Sequence, residues 1–147
     1  MKYSKLKADL MDMFDEKKLH MLPEEWGFFN EFDREINIIG YAVNLTEEII
    51  EKARQQQIEF LVTHHDSWEF IFGLKESCSK MLEESGITHA YFHAPLDDAE
   101  FGTSASLGKK LGMGGLEKVM PYAEIYYGGV IGEIEPVDFN VFRERLT

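Results

Sequence analysis

Cysteine occurs once in the 147 residues, at Cys78. A single thiol excludes an intrachain disulfide and any thiolate cage for zinc or an iron–sulfur cluster, and it points to a reducing, cytoplasmic setting. Basic residues are also scarce. Fifteen Lys and Arg stand against 27 Asp and Glu, a formal charge of −12, and the bases form no cluster along the chain. A surface of that sign repels phosphate backbones and anionic headgroups, so neither nucleic acid nor a membrane is expected as a direct partner. No apolar run approaches the ~20 residues of a membrane span, and the charged start, Met1 to Asp9, does not have the pattern of a signal peptide. Low-complexity segments and internal repeats are missing too. What remains is a 44% apolar chain of a length that suits one globular domain, residues 1–147.

The pattern that organises this domain is residues 58–66, an apolar, Gly- and Pro-free run that ends in His64, His65 and Asp66. Such a run reads as a buried strand delivering side chains to a site. Residues 88–92 repeat the design and empty into His93 and, four residues on, Asp97. If the two strands are parallel neighbours, His64, His65, His93 and Asp97 converge at the carboxyl edge of the sheet, where open α/β folds place ligands.

Around these strands the periodicity predicts one amphipathic helix from Ser4, as N-cap, to Lys18, and a packed surface segment over 20–34. It predicts a strand over 36–43, a helix from Thr46 to Gln56 with acids in its first turn, and a helix ending at Gly86. A further helix closes at Gly112, one or two strands lie around Gly128 and Gly129, and Asp138 caps a last helix. The alternation implies right-handed crossovers and an α/β, three-layer domain with a mainly parallel sheet.

Adjacent residues of a regular strand face opposite ways, so a His pair serves one site only where the strand ends. Two imidazoles and a carboxylate that can bridge suit a pair of divalent ions roughly 3.5–4 Å apart, each His on one ion and Asp97 across both. Nitrogen and oxygen ligands without thiolate admit zinc, iron, manganese or cobalt. Against this stand plainer readings. A lone His at a strand end is more often a hydrogen-bonded structural group, the reading given to His20 and His89. Asp66, Asp98 and Glu100 read as solvated loop acids. The aromatic run Trp68, Phe70 and Phe72 reads as core or as a wall beside the site. Gly112, Gly114 and Gly115 follow a helix and so do not make a phosphate loop.

At Leu-Val-Thr-His64-His65 and His93-Ala-Pro-Leu96-Asp97-Asp-Ala99 the sequence resembles the Nif-three-like dinuclear metal-centre proteins, also called GTP cyclohydrolase I type 2 homologues. Pro23-Glu24-Glu25-Trp26, Asn44-Leu45-Thr46 and residues 102–112 extend the similarity over nearly the whole chain. The resemblance implies an N-terminal lobe of a two-lobed protein, with His64, His65 and Asp97 as metal ligands and His93 as an acid–base or outer group. It implies two bound metal ions, a small-molecule substrate and self-association into a homo-oligomer, a toroidal hexamer in the family. The chain departs from the pattern at Asp66 (usually Pro), Ala94-Pro95 (usually Thr-Asn) and Asn44 (usually an acid). It also has no His after His93, whereas the family draws a His and a Glu from a C-terminal segment. Two functions follow as expectations: a metal-dependent hydrolase-type protein with a dinuclear site, for which the family points to GTP cyclohydrolase chemistry, or a non-catalytic oligomeric scaffold or regulatory binding module with an incomplete metal centre.

Overall fold

The amphipathic start folds as two helices, Tyr3–Met11 (α1) and Glu16–Met21 (α2), where one was expected. Ser4 lies inside α1 and Lys2 is its N-cap. The break comes from Asp15, whose carboxylate accepts the backbone N–H of Lys17 and Lys18 and so starts a second helix. The computed structural model describes residues 1–146, with Ile71 and Phe72 described by backbone alone. Contacts divide the chain into two units, Met1–His93 and Ala94 onward.

In the first unit a one-turn 3-10 helix, Pro23–Glu25, leads into a short strand, Trp26–Phe29 (β1). Ile39–Asn44 (β2), Glu47–Gln55 (α3), Phe60–His65 (β3), Glu69–Phe72 (α4), Lys75–Ser85 (α5) and Thr88–Phe92 (β4) follow. The four strands lie in the order β1-β4-β3-β2, with β2, β3 and β4 parallel and β1 antiparallel to β4. The expected parallel sheet is therefore present, and part of the segment read as surface has joined it as an edge strand. Asn30 anchors that edge at φ 56°, its side-chain amide donating to the carbonyls of Leu82 and Ile87 at 2.8 Å each.

Helices cover both faces of the sheet. On one side Leu61 packs with Leu45, Ile50 and Ala53 and with Cys78, Leu82 and Ile87. On the other, Tyr3 of α1 meets Phe60, and Phe14 stacks on Phe92 at 4.6 Å. Thr46 caps α3 through the Ile49 N–H, and Gly86 ends α5 at φ 65°, both where expected. Burial pushes the Cys78 thiol up, so it behaves as a small core side chain.

The second unit holds Ala94–Asp98 (α6), Thr103–Lys110 (α7), an antiparallel hairpin of Gly114–Tyr122 (β5) and Tyr126–Glu133 (β6), and Phe139–Glu144 (α8), capped by Asp138. The strands expected around Gly128 and Gly129 do not extend the parallel sheet but form a two-stranded sheet of their own. Their turn falls at Ala123 and Glu124, both in left-handed backbone (φ 46° and 64°), while Gly128 and Gly129 lie inside β6. Consecutive left-handed residues make the tight turn that matches hairpin twist, here without the usual Asn-Gly signal.

Candidate metal centre

β2, β3 and β4 run parallel, so their carboxyl ends share one edge, and Asn44, His64, His65 and His93 all fall there. The exit of β3 is pinned by its own side chains. Thr63, fully buried, donates its hydroxyl to the His65 carbonyl at 2.7 Å, and Leu45 N–H donates to the same oxygen at 3.2 Å. With the strand held at its last residues, adjacent imidazoles reach one place: the His64 and His65 rings have centroids 4.4 Å apart. His93, the residue after β4, adds a third ring at 5.2 Å from His64 and 5.3 Å from His65. One ligand nitrogen of each lies within 4.8 Å of the other two.

The outer hydrogen bonds of the three rings share one design. His64 Nδ1 meets the Phe92 carbonyl at 3.0 Å, His65 Nδ1 meets the Asn44 side-chain oxygen at 2.6 Å, and His93 Nδ1 meets a Glu25 carboxylate oxygen at 2.5 Å. Each partner is an oxygen acceptor, so each neutral ring carries its proton on Nδ1 and its lone pair on Nε2. This is the arrangement in which a metal-binding imidazole donates its outer N–H to a protein oxygen. The nitrogen donor set and the tautomers therefore fit a divalent ion of the zinc, iron, manganese or cobalt kind. Trp68 walls the cluster, its ring 4.9 Å edge-on to His93 and 5.8 Å from His65, as expected for this loop. Phe70 stacks on Trp68 but is 82% exposed, and the Phe72 side chain lies outside the described residues.

The remaining candidates separate cleanly. His20 sits exposed on α2 with Nδ1 on the Glu16 carbonyl. His89 is buried in β4, stacks on Tyr91 and donates Nε2–H to the Thr63 hydroxyl at 2.8 Å. Burial drives its pKa down to about 3, so it is a neutral structural group, as expected. Tyr91 is pushed up to about 12 by burial first and then by Asp66, Glu25 and Glu24, and it stays a phenol donating to the Glu24 carbonyl.

Asp97 lies in α6 of the second unit, where its carboxylate accepts a hydrogen bond from the Thr103 hydroxyl. Asp98, read from sequence as a solvated acid, is buried instead and paired with Lys118 at 2.9 Å, because α6 packs on the hairpin of its own unit. Asp97 and Lys118 help to line a cavity of about 190 Å³ in that unit, with Lys109, Tyr127 and Leu116. Glu25 was missed as a site residue. Its only sequence sign was an acidic dipeptide before a Trp.

The class defined by these features is an α/β domain with a mostly parallel sheet and, at its carboxyl edge, a three-imidazole cluster that could hold a metal ion. Residues 8–147 match the sequence profile of Duf34/NIF3 (NGG1p interacting factor 3), and the chain belongs to that family. Over 125 residues it is 34% identical to a GTP cyclohydrolase 1 type 2 homolog of Pyrococcus horikoshii, covering 76% of this chain and 48% of that protein. The fold matches TTHA1606 from Thermus thermophilus with a TM-score of 0.75 at 25% identity, over 99% of this chain and 60% of the other. It also matches reduced HcgD from Methanocaldococcus jannaschii with a TM-score of 0.74 at 23% identity, over 99% and 58%. The chain thus spans about half the length of the curated relative and about six tenths of these structures.

Proposed function

We propose that residues 1–147 are one lobe, a single functional domain, of a metal-dependent hydrolase-type protein whose dinuclear centre is held by His64, His65 and Asp97, with His93 as its acid–base group. The observation that carries this reading is that each of the three imidazoles sets Nδ1 against a protein oxygen, an acceptor that places the proton there and leaves the lone pair on Nε2. Two divalent ions at such a site supply polarisation of a bound substrate and activation of water near neutral pH. The chain's own part is to orient. Thr63 and the Leu45 N–H fix the strand exit, Asn44 and the Phe92 carbonyl hold His65 and His64, and Trp68 keeps bulk water from one side of His93. His93 then offers Nε2 as a base and can return the proton from the same atom. The name of the Pyrococcus relative makes a purine nucleoside triphosphate, opened by hydrolysis of its ring, the first substrate to assay.

A second reading has its own observation. The edge strand β2 turns Ile39, Tyr41 and Val43 outward, 51%, 62% and 53% exposed, and 36–44 carries no charge to guard it. That favours a homo-oligomer, a hexamer by family resemblance, which would also serve as a scaffold. One experiment separates the two readings: metal analysis of purified protein alongside His65→Ala, Asp97→Asn and the control His20→Ala. The hydrolase reading expects near-stoichiometric transition metal that chelation removes, a strong loss in the first two variants and none in the control. A metal-free, well-folded oligomer by light scattering overturns it in favour of the scaffold.

A further inference from the structure

Glu25 is a carboxylate that the fold has almost removed from water, 6% exposed, and it grips His93 twice. Its backbone carbonyl accepts the His93 N–H at 2.8 Å, and its side-chain oxygen accepts the ring Nδ1–H at 2.5 Å. The segment that carries it is tied on both flanks. Trp26 Nε1–H donates to the Leu19 carbonyl at 2.9 Å, and the Tyr91 hydroxyl donates to the Glu24 carbonyl at 3.1 Å. Pro23 at the start of the 3-10 turn removes further freedom. A carboxylate held this rigidly against one ring nitrogen dictates which nitrogen bears the proton, the direction in which the other points and how basic that other is.

We infer that Glu25 is the positioning residue of the site: it locks His93 in the Nδ1–H tautomer, aims Nε2 at the space shared with His64 and His65, and supplies negative charge that offsets part of a bound dication. Its role differs in kind from those of Asn44 and the Phe92 carbonyl, which present neutral oxygens to His65 and His64. The tautomer part stands on the hydrogen bonds alone; the charge part rests on the metal reading above.

The two parts are tested separately. Long-range proton–nitrogen NMR on chelator-treated protein at pH 8 reads the tautomer without any metal. Wild type should show a protonated Nδ1 and an unprotonated Nε2 at His93, and Glu25→Ala should move His93 toward the Nε2–H form that an unconstrained imidazole favours. Glu25→Gln keeps an oxygen acceptor of the same reach, so it should retain the wild-type tautomer, and it serves if the alanine variant does not fold. A wild-type His93 protonated on Nε2, or a tautomer unchanged in folded Glu25→Ala, overturns the inference. Cobalt(II) titration of the chelator-stripped proteins reads the charge. Glu25→Ala and Glu25→Gln, which both lack the carboxylate charge, should each bind cobalt roughly 10-fold more weakly than wild type, and the loss should persist in a His93→Ala background because the charge acts on the ions through space. Wild-type affinity in both Glu25 variants overturns the charge part. A wild type that binds no cobalt removes the metal reading, and the NMR result then decides the tautomer lock by itself.

Discussion

His89 offers a direct test of how the parallel core is built, because its buried ring must stay neutral while the unfolded chain is free to protonate it. Its pKa falls from 6.5 to about 3 through burial, and its Nε2–H is taken by Thr63. Between those two values the unfolded state binds a proton that the folded state refuses, so this group makes stability fall as pH drops through 6.5. The slope approaches ~1.4 kcal/mol per pH unit, and from pH 7.5 to pH 5 the loss is about 2 kcal/mol. That figure changes little for any folded value below about 4, since the native ring is then already neutral at pH 5. Glu and Asp side chains and the other imidazoles also titrate over this range, so the comparison needs a reference that lacks only the His89 proton. His89→Gln supplies it, since the glutamine amide reaches Thr63 much as Nε2 does. Urea unfolding in the presence of a chelator at pH 7.5 and pH 5 should show wild type losing about 2 kcal/mol more than the variant. Equal losses in the two proteins would refute the neutral, buried assignment.

Gly102→Ala should disrupt the second unit, because a Cβ there would overlap the Leu96 carbonyl oxygen, against backbone that cannot swing aside. A loss of about 3 kcal/mol or more in thermal unfolding is expected, and a wild-type midpoint would refute so close an approach in the α6–α7 turn. Asn30→Ala removes the donor to two carbonyls and leaves alanine in left-handed backbone, so about 2–3 kcal/mol should be lost. Equilibrium denaturation checks this, and Asn30→Gly should recover only the backbone share.

The parts of the fold that could be read ahead were those in which one residue type answers to one local requirement. Thr46 before two acids, Gly86 after an apolar stripe and Asp138 near the end are caps, and a cap needs only its own neighbours. The run 60–65 was legible because a strand covered on both faces needs continuous apolar side chains, and histidines at its end break that pattern visibly. The hairpin turn escaped because Ala123 and Glu124 carry no mark of the left-handed backbone they adopt. Asp98 escaped because its burial depends on Lys118, twenty residues away, on a hairpin whose docking no period announces.

The site divides along the same line. His64, His65 and His93 announce themselves at the ends of two similar strands, and parallel pairing alone then brings them to one edge. Glu25 could not be found that way. It reaches His93 because β1 adds to β4 antiparallel with Trp26 opposite Phe92, and the next step of that register sets residue 25 opposite residue 93. β1 is only four residues long and half-buried throughout, too short for alternation to show. An edge strand with no signature of its own thus brings a carboxylate to a histidine of the site. A one-residue slip of β1 would leave Glu25 out of register with His93 while the sheet stayed otherwise intact. The His93 tautomer, read by proton–nitrogen NMR, should therefore be sensitive to substitutions in 23–29 that leave all three histidines untouched.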